Sequence, residues 1–353
     1  MKDTFFLGFC EHLSNASMEA QRLEYTEDVA RATAALFEKL TDQYQEDHWK
    51  TLAPYIYEIN RLKKEKNAVI LAHNYMTPDI FYGVGDITGD SLKLAQEAAK
   101  TEADIIVQCG VHFMAETSKV LCPDKKVLIP DLKAGCSLAE SITAENVRNL
   151  KKEHPGVPIV TYVNTAADVK AESDVCCTSS NALKIVEALG KEGHDTVIMT
   201  PDKFLAQNVA AQTDINVLFW EGTCIVHERF TAEDVKNIRA QHGDVFVLAH
   251  PECPPEVMAE ADYAGSTAQM DEYIKEHQPK KAVLMTECSM SDNVAAANPD
   301  VEMIGTCQLC PYMKMISLPK ILKSLQNEEP EVLIDPAIAE RAKKAVERML
   351  ELS

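Results

Sequence analysis

The chain has 353 residues, 46% of them hydrophobic and 25% charged, which is enough to bury a sizeable core spread over two or three domains. Its 35 Lys and Arg face 55 Asp and Glu, and this net charge of −20 at pH 7 repels nucleic acid and anionic membrane surfaces. No stretch approaches the roughly 20 apolar residues of a membrane span.

The N-terminal apolar run is too short for the core of a signal peptide, so we expect a cytoplasmic protein with no membrane partner. The cytoplasm keeps thiols reduced. The eleven cysteines are therefore expected to include metal ligands or redox groups rather than to form a disulfide framework.

Residues 1–66 are the first predicted segment. They read as helical and acidic, and no pattern in them is typical of a reaction site. We expect a helical extension with a packing or interface role. From residue 67 the chain shows internal self-similarity, the sequence signature of repeated structural units.

Each unit begins with an apolar run that ends in a polar cluster. The runs AVILAHNY, VPIVTYVN and VFVLAHPE reach Tyr75, Asn164 and Glu252. Short runs rich in Val, Ile and Leu without alternation predict strands buried on both faces, as in parallel sheets. Two more strand-like runs follow in every unit: ADIIVQCG and KKVLIPD, then DTVIMTPD and INVLFWE, then KAVLMTEC and VEMIGTC.

A hydroxyl cluster follows the first strand of each unit. Ser91, Ser179 and Thr267 stand 88 residues apart, and each opens a helix-like segment. Helix N-termini with free N–H groups can hold carboxylate and phosphate, so these residues are the expected anchors for anions despite the chain's negative charge.

A cysteine follows the third strand of each unit. Cys136, Cys224 and Cys310 are spaced by 88 and 86 residues. A helix start is predicted shortly after each cysteine, at Thr143, Thr231 and Ser317, and a last amphipathic helix is predicted over residues 336–353.

Helical segments between buried strands indicate parallel βα units, so we predict an α/β fold of three α/β/α domains related by a pseudo-threefold axis. Strand C-termini and helix N-termini face the ligand in such sheets, and the polar clusters should converge. The predicted domain ranges are 67–142, completed by helices in 317–353, then 143–230 and 231–316.

Three repeated thiols around such an axis suit a metal centre, and sulfur ligands favour zinc, copper(I) or an iron–sulfur cluster. A structural zinc site would need a fourth protein ligand, whereas a cubane on three cysteines leaves one iron open as a Lewis acid. Cys307 and Cys310 form a C-x-x-C, so spacing alone leaves the third ligand ambiguous. The remaining cysteines are interpreted as small buried hydrophobic residues: Cys10, Cys109, Cys122, Cys176, Cys177, Cys253 and Cys288.

A family resemblance covers residues 67 to about 350. The motifs LAHNY with GDS, FMAE, PDKKVLIPD, YVN, CTSSNA, HPEC with GST-QM, and CPYMKM, in this order, resemble the quinolinate synthase family. The resemblance implies three α/β/α domains around one 4Fe-4S cluster. It also implies condensation of iminoaspartate with dihydroxyacetone phosphate to quinolinate, with loss of phosphate and water, in NAD biosynthesis.

Site residues carry over from the resemblance by position. It makes Cys136, Cys224 and Cys310 the cluster ligands, while Cys307 falls outside the motif and is left as a spare thiol or half of a redox switch. The substrate-binding positions that it implies are His73, Ser91, Tyr162, Val163, Asn164, Ser179, His250, Glu252 and Thr267.

Proton transfer is assigned to Glu252 and Tyr75, with His73 and His250 as further candidates, because enolisation and dehydration need positioned acids and bases. Two other functions stay open at this point. One is an iron–sulfur hydro-lyase on a small hydroxy acid, without a phosphate site. The other is a non-catalytic iron–sulfur redox sensor. The expected partners are small anions and the enzyme that delivers iminoaspartate.

Overall fold

The computed structural model describes residues 23–306 and 308–353. Two cysteines of the sequence analysis, Cys10 and Cys307, lie outside the described residues, and so does the first third of the predicted extension. Within the described ranges, no helix combines the length and the apolar character needed to cross a membrane.

Two helices form the described part of the extension: α1, Glu27–Lys39, and α2, Glu46–Glu65. Thr26 caps α1 by accepting from the Val29 N–H, and acidic residues fill its first turn, where they suit the helix dipole. The apolar side of α2 is buried, and Trp49 at its start is only 1% exposed. The extension is therefore packed onto the rest of the chain.

Three four-stranded parallel sheets follow the extension, and all three have the same strand order, second–first–third–fourth. The first contains β1 Ala68–His73, β2 Ile87–Gly89, β3 Ile105–Cys109 and β4 Lys126–Leu128; the second β5 Ile159–Tyr162, β6 Val175–Cys177, β7 Thr196–Thr200 and β8 Asn216–Phe219; the third β9 Phe246–Ala249, β10 Tyr263–Ala264, β11 Lys281–Met285 and β12 Glu302–Ile304. The predicted α/β fold with three short parallel sheets is confirmed. The second strands β2, β6 and β10 were not predicted, because none of them contains two consecutive Val, Ile, Leu or Met residues, unlike the equally short β4 and β12.

Helices connect the strands and flank the sheets. They are α3 Pro78–Phe81, α4 Ser91–Lys100, α5 His112–Leu121, α6 Ser137–Glu140, α7 Ala144–Glu153, α8 Ala167–Ala171, α9 Ala182–Lys191, α10 Lys203–Ala210, α11 Ala232–His242, α12 Pro255–Glu260, α13 Thr267–His277, α14 Cys288–Ala297, α15 Leu318–Asn327 and α16 Pro336–Leu352. Short 3-10 turns cover His227–Arg229 and Met313–Met315.

Most predicted helix starts are confirmed. Thr143 and Thr231 are N-caps with complete capping boxes, and Ser317 is the N-cap of α15. The second hydroxyl cluster differs, because α9 begins at Ala182 rather than at Ser179. The Asn181 side chain accepts from the N–H of Thr178 at 2.6 Å, which folds residues 178–181 into a turn before the helix.

One hydrogen-bonded ion pair recurs in all three units. An aspartate directly before the second strand of each unit accepts the backbone N–H at or near the start of the first strand at 2.8 Å and pairs with a basic residue on the preceding helix. The pairs are Lys63–Asp86, Lys151–Asp174 and Arg239–Asp262, at 2.7, 2.9 and 2.9 Å. Helix α2 of the extension supplies the first of them, a role that the sequence analysis did not assign to it.

A second recurring contact joins the units in a ring. Glu116 on α5 accepts the N–H of Ala167, at the end of the loop after β5, at 3.0 Å. Asn208 on α10 donates to the carbonyls of Pro251 and Cys253 in the loop after β9, at 2.8 and 2.9 Å. Asn293 on α14 donates to the carbonyls of Asn74 and Met76 in the loop after β1, at 3.0 and 2.8 Å. Each unit thus holds the strand-end loop of the next, and the third unit returns to the first.

The predicted domain boundaries remain a prediction. The last helix, α16, packs against α8 and reaches Asn181, whose side chain donates to the Ser353 hydroxyl at 2.7 Å. The C-terminal helix therefore contacts the second unit.

We predict that Asp174→Ala destabilises the protein by about 1–2 kcal/mol, because the N–H of Ile159 loses its acceptor. Lys151→Met should cost less than about 1 kcal/mol, because the ion pair is partly exposed. Thermal unfolding followed by circular dichroism measures both, with the exposed Asp300→Ala as control. Equal losses of stability in the two variants would contradict the conclusion that the hydrogen bond from the Ile159 N–H contributes more than the ion pair.

Candidate active site

One cavity lies where the three sheets meet, with about 700 Å³ of empty space including part of its mouth. All three units contribute to its lining. The predicted site residues that line it are His73, Tyr75, Ser91, Cys136, Tyr162, Asn164, Ser179, Cys224, His250, Glu252, Thr267 and Cys310. Val163 does not line it; this residue is buried, and its N–H donates to the carbonyl of Cys177.

Six of the lining side chains come from the ends of the first strands and from the loops that follow them. Each unit presents two residues, at positions i and i+2: His73 with Tyr75, Tyr162 with Asn164, and His250 with Glu252. Because the three sheets have the same strand order and the loops are fixed by the ring of helix contacts, these pairs face one another across the cavity.

The two histidines at the strand ends have the same tautomer. The Nδ1 of His73 accepts the N–H of Tyr75 at 3.1 Å, and the Nδ1 of His250 accepts the N–H of Glu252 at 3.3 Å. Burial lowers the pKa of His73 to about 4 and that of His250 to about 3. Both rings are therefore neutral at pH 7, and each keeps its proton on Nε2, where it is a hydrogen-bond donor.

Glu252 is the centre of a buried hydrogen-bond chain and is only 3% exposed. Its Oε1 accepts from the Tyr162 hydroxyl at 2.5 Å, and its Oε2 is 2.9 Å from Nδ1 of His227. The other ring nitrogen of His227 is 2.9 Å from Thr286 Oγ1 and 3.3 Å from the Tyr75 hydroxyl. The chain thus joins all three units.

The environment keeps Glu252 ionised. Burial opposes ionisation, but His227 and the Tyr162 hydroxyl overcome this opposition and hold the pKa of the Glu252 carboxyl well below its usual range. Burial and the Glu252 charge raise the pKa of the Tyr75 and Tyr162 hydroxyls well above their usual value. Both phenols consequently remain protonated donors.

Sequence reasoning missed His227. This residue follows Cys224 by three positions, in a 3-10 turn, and is 1% exposed. The equivalent positions after the other two cysteines are Ala139 and Met313, so the repeat gave no signal there. Only the chemistry of a histidine near a repeated thiol could have indicated it.

The three repeated cysteines all lie at the cavity. Cys136, Cys224 and Cys310 are partly buried at the cavity and form no disulfide. Burial raises the pKa of the Cys136 thiol to about 12 and also raises those of Cys224 and Cys310. In each case the backbone N–H groups two and three residues further along the chain favour the thiolate and oppose this shift. Backbone N–H groups placed in this way suit a thiolate that binds a metal.

The other described cysteines are structural in character. Five of them are buried: Cys109, Cys122, Cys176, Cys177 and Cys253. Cys288 is partly buried at the start of α14. A second potential ligand set exists beside the three thiols, because ligand atoms of Cys224, His227 and Glu252 lie within 4.8 Å of one another.

Hydroxyl groups at the cavity mark where an anion can bind. Ser91 and Thr267 are the first residues of α4 and α13, and Ser179 lies in the turn before α9. Asn164 has a buried Oδ1 with no hydrogen-bond partner, so this oxygen is available to a ligand that carries a donor.

Asp90 ties the hydroxyl clusters of the three units together, which sequence reasoning did not predict. Its Oδ1 caps α4, and its Oδ2 accepts from Ser180 of the second unit at 2.6 Å and from Ser266 of the third at 3.3 Å. The carboxylate therefore holds the starts of these segments in one place.

A buried ion pair supports the third cysteine. Glu287, 0% exposed, accepts the N–H of Cys310 at 3.3 Å and pairs with Lys314 at 2.9 Å. Lys314 also donates to the carbonyl of Tyr75 at 2.9 Å. The pair links the segment that carries Cys310 to the loop that carries Tyr75.

Comparisons with known proteins agree on one family. A family model described as Quinolinate synthetase A protein matches residues 57–351. The chain is 57% identical over 329 residues to a quinolinate synthase of Caulobacter vibrioides, covering 93% of this chain and 90% of the relative. It is 56% identical over 335 residues to one of Sinorhizobium fredii, covering 95% and 92%. It is 59% identical over 295 residues to one of Xylella fastidiosa, covering 84% and 86%.

We predict that Glu287→Gln destabilises the protein by about 2–3 kcal/mol, because it leaves the partly buried Lys314 charge without its partner. The double variant Glu287→Gln/Lys314→Met should recover part of the loss, because no unpaired charge then remains. Thermal unfolding of the two single variants and the double variant measures this coupling. Strictly additive losses would show that the two side chains act independently.

Proposed function

The chain belongs to the quinolinate synthase family and is an enzyme of NAD biosynthesis, and from this premise we propose that its central cavity condenses iminoaspartate with dihydroxyacetone phosphate. The products are quinolinate, phosphate and water. One observation carries the proposal. Three thiols, the buried carboxylate of Glu252 with its hydrogen-bond partners, and three hydroxyl residues line a single cavity, and all three units contribute to it. The hydro-lyase and sensor alternatives have no support from the comparisons.

We further propose that Cys136, Cys224 and Cys310 hold one 4Fe-4S cluster, with one iron left open. The donor set fits this group: three thiols line one cavity, and backbone N–H groups two and three residues after each of them favour its thiolate form. When bound, such a cluster supplies a Lewis acid for a substrate oxygen. The set of Cys224, His227 and Glu252 is the competing site, because Nδ1 of His227 also lies 3.2 Å from Cys224 Sγ. The hydrogen bonds of His227 and Glu252 to each other, to Tyr162 and to Thr286 account for both side chains without a metal.

The hydroxyl residues and the side-chain amide of Asn164 bind the anionic substrates in this proposal. Ser91 and Thr267 stand at helix N-termini, where backbone N–H groups and the helix dipole favour carboxylate and phosphate. Ser179 supplies the third hydroxyl, and the free Oδ1 of Asn164 accepts from a substrate N–H or hydroxyl. Nε2–H of His73 and of His250 donates to substrate oxygens.

Proton transfer falls to Glu252, His227 and Tyr75. Ionised Glu252 fixes a proton on Nδ1 of His227, so Nε2 accepts from the Tyr75 or Thr286 hydroxyl. Because the site keeps Tyr75 protonated and Glu252 ionised, Tyr75 is the group that can give a proton to a substrate oxygen, and Nε2 of His227 is the base that can take one. The Nδ1 proton of His227 stays hydrogen-bonded to Glu252, whose charge stabilises the protonated ring during enolisation and dehydration.

The cellular setting follows from the reaction. We propose a cytoplasmic enzyme whose partners are its small anionic substrates and the enzyme that produces iminoaspartate. Neither nucleic acid nor membrane is a proposed partner, since the net charge of −20 opposes both.

The direct test supplies freshly generated iminoaspartate and dihydroxyacetone phosphate to anaerobically reconstituted protein. Quinolinate, measured by mass spectrometry, should form in step with released phosphate. A sample with full iron and sulfide content that makes no quinolinate would refute the proposed reaction.

Replacing Glu252 by Gln should abolish most turnover while the iron–sulfur absorption is retained, because the carboxylate stabilises the protonated His227 ring but is not a proposed ligand. His227→Gln should behave in the same way, since it breaks the chain at its centre. Phosphate release is the measurement. Turnover close to that of the unchanged protein would remove Glu252 from the mechanism.

Replacing Cys136 or Cys310 by Ser should reduce bound iron and sulfide, whereas Cys307→Ser and the buried control Cys176→Ser should not. Iron and acid-labile sulfide are quantified after anaerobic reconstitution. Full iron in Cys136→Ser would favour the competing site of Cys224, His227 and Glu252, which does not use Cys136. Loss in Cys307→Ser with retention in Cys310→Ser would mean that the other thiol of the C-x-x-C is the ligand.

A further inference from the structure

A second cleft, separate from the active-site cavity, lies between the extension, the first unit and the third unit. It has about 850 Å³ of empty space, part of which is open to solvent. Three lysines from three different helices line it: Lys39 on α1, Lys93 on α4 and Lys275 on α13. Lys39 precedes residues 57–351, which match the family model.

The positive charge in this cleft is only partly compensated. Of the three lysines, Lys275 pairs with Asp271 at 2.5 Å. Within the described residues, Lys39 and Lys93 have no carboxylate within 4.0 Å, so the lining keeps two unbalanced positive charges (three lysines less one aspartate). Burial and the charge of Lys275 lower the pKa of Lys39. A chain with a net charge of −20 thus gathers cations at one place.

The lysine side chains are positioned by their neighbours. The Lys39 ammonium lies 3.8 Å from the centre of the Tyr82 ring, a cation–π contact. Lys93 folds over Gly89, where an added Cβ would meet its Cδ at 2.7 Å. Glycine at this point leaves room for the Lys93 stem beside the cleft.

An unsatisfied acceptor lies in the same cleft. Asn293 is 4% exposed, its amide nitrogen holds the loop after β1, and its Oδ1 is buried without a partner. Buried polar atoms are normally paired, so this oxygen points to a ligand that carries a hydrogen-bond donor. Lysine is a point-charge binder suited to phosphate.

We propose that this cleft binds a small phosphate ester, with the phosphate among Lys39, Lys93 and Lys275 and a ligand hydroxyl donating to Asn293. The ligand would be linked to the active site by two contacts. Asn293 holds the loop that carries Tyr75, and Asn74, which also lines the cleft, donates to Thr267 Oγ1 at 2.9 Å. The N-terminal extension, for which sequence analysis found no chemistry, would supply part of this site.

The test is lysine acetylation of the full chain with and without glycerol 3-phosphate, with modification of each lysine quantified by peptide mass spectrometry. Inorganic phosphate and potassium chloride of matched ionic strength are the comparison samples. We expect glycerol 3-phosphate to slow acetylation of Lys39 and Lys93 severalfold, with phosphate acting at higher concentration and chloride without effect. Lys50, a partly exposed lysine of the same extension that lies outside the cleft and pairs with Glu46, should be unprotected.

Two variants make the result specific. Lys39→Met should remove the protection of Lys93, whereas the matched Lys50→Met should leave it intact. Protection that is equal in chloride, equal at Lys50 or unchanged in Lys39→Met would overturn the proposal. Protection by phosphate that is as strong as that by glycerol 3-phosphate would overturn the role of Asn293. No outcome depends on turnover or on bound iron, so failure here is distinct from failure of the proposed reaction.

Discussion

Three helix side chains that hold the strand-end loops of the next unit are the contacts on which the active site depends. Glu116, Asn208 and Asn293 are far from the reacting groups in sequence, yet they fix the loops that carry Asn164, Glu252 and Tyr75. No loop is held by its own sheet alone. The cavity therefore forms only when the three units contact one another in a closed ring. A substitution at any of the three contacts is expected to displace a loop that carries a residue of the site.

The same ring explains how an acidic chain can receive two anions. Its centre gathers neutral donors rather than cations: two histidines that burial keeps uncharged, two protonated tyrosines, and hydroxyls at helix N-termini. The two buried carboxylates near the centre are stabilised by hydrogen bonds from protein groups. Glu252 is bonded to His227 and Tyr162, and Asp90 is bonded to Ser180 and Ser266. Hydrogen-bond donors in a buried site bind anions strongly without a large net charge.

Periodicity predicted the features that repeat and missed those that do not. The 88-residue spacing located the inner strands, the hydroxyl clusters and the cysteines at the cavity, because these elements recur in every unit. His227 has no counterpart in the other units, and the second strands β2, β6 and β10 lack consecutive aliphatic residues that would mark them as strands. The start of α9 was misplaced because Asn181 folds a local turn that propensity does not reveal. Asp90 looked like an ordinary helix cap, and only the tertiary structure shows it accepting from two other units.

Closure of the ring also sets the order in which the protein can mature. The contact from Asn293 to the carbonyl of Asn74 spans 219 residues, and Cys310 comes still later in the chain. Domains generally fold as they leave the ribosome, N-terminal first. The strands of the first two sheets can therefore pair while the third unit is still being translated, but helices α15 and α16, which pack against those units, and the third thiol follow only near the end of synthesis. A metal centre that uses all three thiols can be completed only after that point.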